Sequence, residues 1–145
     1  MKLAAAKKGG KPLLVLFEQK VCAACNELHQ DAFLRPDVAA LLRKFQVAQV
    51  DLASSEKLQT PEGEELSARD WARKLNVFYT PSLVYFDPSG HEVFRVEGYL
   101  RSFHLASSLD YVASGAYKSQ SEFQRFIEAR AAAMRAKGER VDMMK

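Results

Sequence analysis

Of the 145 residues only Cys22 and Cys25 carry a thiol, so the chain cannot build a framework of several disulfides. Any internal disulfide has to use this one pair, and the cysteine count alone does not fix the redox compartment. No apolar run approaches the ~20 residues that a membrane-spanning helix needs. The opening Met1–Gly10 stretch groups only four apolar residues and lacks the apolar core of a secretory signal peptide. It reads as a start that follows a removed leader or, alternatively, as a cytosolic start. Blocks of one charge are missing too: 21 Lys and Arg stand interspersed with 18 Asp and Glu, for a formal net charge of +3, which gives no argument for nucleic acid. There is no internal repeat. With 48% hydrophobic and 27% charged residues, the length suits a single domain, residues 1–145, with a core of its own.

The two cysteines lie three positions apart in Phe17-Glu18-Gln19-Lys20-Val21-Cys22-Ala23-Ala24-Cys25-Asn26, where an apolar strand gives way to a helical pattern. A Cys-x-x-Cys that opens a helix puts both sulfurs on one face, within the ~4.4–6.8 Å Cα separation that a disulfide accepts. The unpaired N–H groups and positive dipole end of the helix would stabilise a thiolate on Cys22, lowering a thiol pKa from ~8.5 towards the ~3.5–7.5 of reactive cysteines. Cys25, a turn deeper, is expected to be the more buried, resolving thiol.

Leu13–Phe17 is a continuous apolar run and predicts a central strand buried on both faces. Cys25, Leu28, Ala32 and Phe33 mark the inner face of the first helix; Pro36 breaks it and opens a second stretch carrying Val38, Leu41, Leu42 and Phe45. Residues 45–52 alternate with period two and predict a strand parallel to the first through a βαβ crossover. Residues 53–66, with Thr60-Pro61-Glu62-Gly63, read as an inserted loop or small hairpin. Ser67 caps the next helix, with Asp70 at its third position, Trp71, Ala72 and Leu75 inward and Asn76 at its end. The stretch Val77-Phe78-Tyr79-Thr80-Pro81-Ser82-Leu83-Val84-Tyr85-Phe86 then contains a third strand, interrupted by Pro81. The Asp87-Pro88-Ser89-Gly90 turn then makes a hairpin with residues 91–96. One helix runs from Arg101 or Ser102 to Gly115, and a last one, capped by Ser119 or Ser121, carries Phe123, Phe126, Ile127, Ala131 and Met134 and ends near Gly138. The fold class is α/β, a central mixed β-sheet with helices on both faces.

An apolar strand, a Cys-x-x-Cys opening a helix and a Thr-Pro before a terminal hairpin together resemble the thioredoxin superfamily over about residues 11–115, leaving 116–138 as an extra C-terminal helical extension. Phe17-Glu18-Gln19, Leu28-His29, the run from Tyr79 to Asp87, Gly98-Tyr99, Leu109-Asp110-Tyr111-Val112 and Phe123-Gln124-Arg125-Phe126 look like the SoxW-type periplasmic thioredoxins of sulfur-oxidising bacteria. The cysteines with their Ala-Ala spacer are also similar to the C-terminal domain of DsbD. The resemblance implies a thiol–disulfide oxidoreductase with Cys22 as nucleophile, Cys25 as resolving cysteine and Thr80-Pro81 as a cis-proline element. It implies a substrate-binding surface of Ala23, Ala24, Thr80, Pro81, Gly98 and Tyr99, no cofactor beyond the Cys22–Cys25 couple, and a monomer. The implied setting is reduction of a protein disulfide in the periplasm, with electrons from a membrane thiol carrier of the DsbD or CcdA type. The alternatives are a cytoplasmic setting, a disulfide oxidase or isomerase, and a noncatalytic binding module with a metal at the cysteines.

One departure from the family stands out. The buried acid that thioredoxins commonly carry six positions before the nucleophile is here Leu16. Glu18, two residues on and on the same side of the strand, is the candidate to take over proton traffic for Cys25, against a reading as a solvated strand-end residue. His29, two turns beyond Cys22, reads as a surface or packing residue. Cys22, Cys25 and His29 could offer three metal ligands, with a fourth from His91 or His104, but a structural zinc site usually needs four and no second Cys/His cluster exists. Asn26 after Cys25 excludes the Cys-x-x-Cys-His haem motif.

Overall fold

The computed structural model describes residues 1–3 and 10–143; most of the opening basic segment, 4–9, lies outside the described residues. Among the described residues eleven strands and helices follow in the order β1 (Leu13–Glu18), α1 (Ala23–Gln30), α2 (Pro36–Leu42), β2 (Gln46–Asp51), β3 (Lys57–Gln59), β4 (Glu65–Ser67), α3 (Ala68–Lys74), β5 (Ser82–Phe86), β6 (Glu92–Glu97), α4 (Ser102–Ala113) and α5 (Phe123–Ala136). The central sheet has the order β2-β1-β5-β6, with β1 and β2 parallel and the other neighbours antiparallel. β1 is therefore interior. Its five apolar residues are buried on both faces, because a strand covered by helices on either side has no solvent face for a polar residue to occupy.

Alternate residues of β1 divide between two cores. Leu14 and Leu16 join Leu28 of α1, Val38 of α2 and Leu105 and Leu109 of α4. Leu13, Val15 and Phe17 join Trp71 and Ala72 of α3 on the opposite face. This is the thioredoxin architecture, and the period of two along β1 decides which residue meets which helix.

Proline and caps set the breaks. After α1 the chain makes a 3₁₀ turn, Ala32–Leu34, and restarts with Pro36 at the first position of α2, where its missing N–H costs nothing. The 53–66 insertion contains β3 and β4, an antiparallel pair, so the hairpin reading holds. The Ser67 hydroxyl accepts the Asp70 N–H at 3.0 Å, and Asn76 leaves the helix with a left-handed φ of 58°. The strand expected across Pro81 begins only at Ser82.

The cap proposed for the last helix is corrected. Neither Ser119 nor Ser121 caps α5: Glu122 holds the N-cap position with no side-chain hydrogen bond, and Ser119 instead closes a 3₁₀ turn, Ala116–Lys118. The start of α5 is set by packing rather than by a hydroxyl. Phe123 lies 4.8 Å from Phe94 of β6 and 5.2 Å from Tyr111 of α4, and Phe126 lies 5.0 Å from Tyr111, between ring centroids. Arg130 adds a 3.0 Å bond to Asp110 and lies over the Phe103 ring. The extension thus docks on its own fold, over α4 and the edge strand β6.

The β5–β6 turn makes part of the fold's stability depend on pH. Burial pushes the Asp87 carboxyl up, but hydrogen bonds from the Ser89 hydroxyl and from the His91 and Ser89 N–H groups outweigh it and hold the pKa below the ordinary value. A carboxyl whose folded pKa is depressed stabilises fully above its unfolded value, ~3.9, and the contribution is lost as pH falls through the folded one. Asp87 sits at the solvent edge, so screening limits the effect to about 0.5 kcal/mol. In urea titrations Asp87→Asn is expected to lower the midpoint at pH 7, and the gap between the two proteins is expected to shrink as pH falls below the ordinary carboxyl range and Asp87 protonates.

Candidate active site

The sheet register brings four loops to one end of the molecule. Phe17 pairs with Ser82 and Ser82 with Glu97, so one step further Glu18, Pro81 and Gly98 stand side by side, with Asp51 paired to Glu18 on the other flank. The Gly98 N–H donates to the Pro81 carbonyl at 2.8 Å, fixing that level, and the Thr80 hydroxyl donates to Gln19 at 3.1 Å, tying the proline loop to the segment ahead of the cysteines. The Thr80–Pro81 peptide bond is cis. Pro81 is buried, and Thr80 is half-buried above it.

Cys22 and Cys25 form a disulfide with Cα atoms 5.2 Å apart. Cys22 occupies the N-cap of α1, and its Sγ accepts the Cys25 N–H at 3.1 Å. A thiolate generated there on reduction would face the same donor and the positive end of the helix dipole. Exposure differs sharply within the pair: Cys22 is half-buried, whereas Cys25 is only 2% exposed. One sulfur can be reached from outside and its partner cannot.

Around the pair lie Ala23, exposed, and Ala24, half-buried. Tyr99 is exposed beside Gly98, whose φ of 92° needs a glycine; a Cβ there would meet nothing within 4 Å, so backbone conformation rather than lack of space selects the residue. Val21 is 94% exposed, and Phe78 and Tyr79 about two thirds exposed, at 64% and 65%. Sequence reasoning took Phe78 and Tyr79 as strand residues. The signal to the contrary was present in Asn76 and Thr80-Pro81, which bracket the segment and keep it out of the sheet.

Leu16 is buried among the apolar residues under α1. Glu18 is on that same face, and its carboxylate lies 2.9 and 2.8 Å, by its two oxygens, from Nε2 of His29. The Glu18 side chain is 16% exposed and that of His29 35%. Neither is simply a solvated surface group. His29 also meets the Phe33 ring edge-on at 5.2 Å. Of the other histidines, His91 bonds Ser89 in the hairpin turn and His104 packs on Phe103, and among the described residues no group of three or more His, Cys, Asp or Glu is placed to hold a metal ion.

A Cys-x-x-Cys disulfide at the N-terminus of a helix, beside a buried proline at the end of a mixed four-stranded sheet, defines a thioredoxin-fold protein with a cysteine pair suited to redox exchange. The thioredoxin-like domain family matches residues 1–113, and the chain belongs to that family. It is similar to the thiol:disulfide interchange proteins DsbD of Cronobacter sakazakii, 29% identical over 110 residues covering 73% of this chain, and of Tatumella citrea, 30% identical over 104 residues covering 69%. The matches span only 17% and 16% of those relatives' length. Among solved structures, a thioredoxin-fold protein from Helicobacter pylori superposes with a TM-score of 0.76 at 17% identity, over 86% of this chain and 87% of that one. A thioredoxin from Thermus thermophilus superposes with 0.63 at 27% identity, over 81% and 86%.

Proposed function

We propose that the protein is a thiol–disulfide oxidoreductase working as a disulfide reductase in the periplasm. The observation that carries this reading is the asymmetry of the cysteine pair: a reachable sulfur at a helix N-cap, bonded to one that is sealed inside. In the reduced protein Cys22, as thiolate, attacks a substrate disulfide; a mixed disulfide forms and the departing substrate sulfur takes the electron pair. Cys25 then attacks Cys22, the second substrate sulfur leaves, and Cys22–Cys25 is oxidised. Ala23, Ala24, Thr80, Pro81, Gly98 and Tyr99 form the contact surface for the polypeptide around the cystine, extended by exposed Val21, Phe78 and Tyr79. Glu18 serves the proton traffic of Cys25.

The likeness to DsbD supports a redox partner of that type, a membrane thiol carrier of the DsbD or CcdA kind that returns electrons to the pair. The SoxW-type assignment, with a sulfur-oxidation or cytochrome-maturation protein as substrate, rests on the residue runs in the sequence. Equilibration with glutathione at graded ratios of its reduced and oxidised forms, followed by thiol alkylation and mass analysis, tests the direction. A two-electron transition at a potential below the glutathione couple is expected of a reductase. A potential well above it would make the protein an oxidase instead.

A further inference from the structure

We infer that His29, held by Glu18, is the proton acceptor for Cys25 in the step that releases the substrate, and the group through which that proton leaves the protein. The inference rests on the thiol-exchange reading above and assigns its second half to a histidine that the sequence suggested was a surface or packing residue.

A thiol that is 2% exposed cannot lose its proton directly to bulk water, yet only the thiolate attacks a disulfide. Some neighbouring base must receive the proton. Leu16 is apolar and cannot. Cys25 and His29 are four residues apart on α1, hence neighbours on one helix face with Cβ atoms ~5–6 Å apart, and a helical side chain leans back over the turn that precedes it. For His29 that preceding turn is the one that holds Cys25. From the other side Glu18 reaches the ring from the end of β1, on the face that α1 covers.

The tautomer follows from the donor inventory. An ionised carboxylate only accepts, so the nitrogen facing both Glu18 oxygens, Nε2, carries the hydrogen. Nδ1 is left with the lone pair, and it is the ring nitrogen nearer the helix backbone. Among the described residues Nδ1 has no hydrogen-bond partner. Glu18 therefore does two things: it fixes the ring and it stabilises the imidazolium that forms when Nδ1 takes a proton. The two other charged side chains along the cleft that Glu18 and His29 line are Asp51 and Lys20. Asp51 accepts the Ala53 N–H at 2.9 Å within its own turn. On α1 itself Glu27 points to solvent, and Asp31, just beyond the helix, pairs with Arg35. Phe33 closes the far edge of the ring, and the 35% exposure of the His29 side chain gives the proton an exit.

The step balances as follows. The Cys25 S–H proton passes to Nδ1, directly or through one water. The thiolate forms a bond to Sγ of Cys22, the bond from Cys22 to the substrate sulfur breaks, and that sulfur leaves with the electron pair and is protonated by water. The imidazolium returns its extra proton to solvent. The protein is oxidised by two electrons over both halves of the reaction, and the substrate cystine is reduced to two thiols.

An aromatic disulfide such as 5,5′-dithiobis(2-nitrobenzoate) separates the halves, because the reduced protein releases one coloured thiolate when Cys22 attacks and a second when Cys25 resolves. His29→Gln is expected to leave the first phase within about twofold and to slow the second about 10²-fold at neutral pH, in the range of general-base effects. The pH profile of the second phase should differ between the unsubstituted protein and the variant, while that of the first should not, and added imidazole should restore part of the variant's rate. Glu18→Gln, which keeps a hydrogen-bond acceptor for Nε2, should slow the second phase by a smaller factor, and the double variant should be no slower than His29→Gln alone. A second phase unchanged in rate and pH profile in His29→Gln, or both phases slowed equally, would overturn the role of His29. Failure of the unsubstituted protein to show a first phase would instead remove the thiol-exchange reading itself.

Discussion

Replacing Cys22 with serine is expected to reduce the protein's turnover of insulin disulfides, with dithiothreitol as reductant, to the uncatalysed rate, a loss of about 10³-fold or more. The size of the effect follows from the inequality of the two sulfurs. A serine hydroxyl does not ionise where a thiol does, so the N-cap of α1 would have no anion to stabilise and no nucleophile to present. Cys25 cannot stand in for it: at 2% exposure, beneath the first turn of α1, it is out of reach of a second protein's cystine. The turbidity of precipitating insulin B chain reports the result. Residual catalysis within tenfold of the unsubstituted protein would mean that Cys22 is not the attacking sulfur.

Ile127→Ala is expected to be the most damaging change away from the cysteines in the C-terminal extension. Ile127 is 1% exposed and packs with Phe103 of α4 and Ala131 of α5. Removing a buried isoleucine to alanine costs about 2–5 kcal/mol, by lost transfer free energy and by the cavity left behind. For a chain of this length that corresponds to a fall of roughly 6–15 °C in Tm, read by circular dichroism. Exchange activity well below the transition should persist, since the cysteine pair is carried by α1 and Ile127 is not near it in the packing. An unchanged Tm would show that α5 contributes nothing to the stability of the fold it covers.

Much of this arrangement was legible in the sequence because it depends on local chemistry. A continuous apolar run has one stable placement in a sheet with helices on both faces, and Leu13–Phe17 took it. Pro36, Ser67, Asn76 and the Asp87–Gly90 turn each act through their own backbone or nearest neighbours, so their effects did not wait on tertiary structure. The start of α5 was misread for the complementary reason: two serines offered a local cap, but contacts of Phe123 with residues some 10 to 30 positions away decided the boundary. Phe78 and Tyr79 were misplaced because aromatic residues next to an apolar strand carry strand propensity, which the backbone on either side overrode.

The site was legible in part. The cysteines stand out by their spacing, Thr80-Pro81 and Gly98 by the resemblance to the thioredoxin superfamily, and Glu18 was placed on the right face of β1 by a period-two argument. His29 was not, because its partner is eleven residues away on another element. The face of β1 that Glu18 occupies and the face of α1 that carries Cys25 and His29 meet only once the crossover has been packed, and a single sequence does not state that meeting.

The most direct test is to trap the intermediate. With Cys25→Ser, reduced protein mixed with an oxidised protein substrate should accumulate a disulfide between Cys22 and the substrate, stable to gel electrophoresis without reductant and mapped to Cys22 by mass spectrometry after digestion. Absence of any Cys22-linked adduct under conditions in which the folded Cys25→Ser protein keeps a free, alkylatable Cys22 would contradict the account.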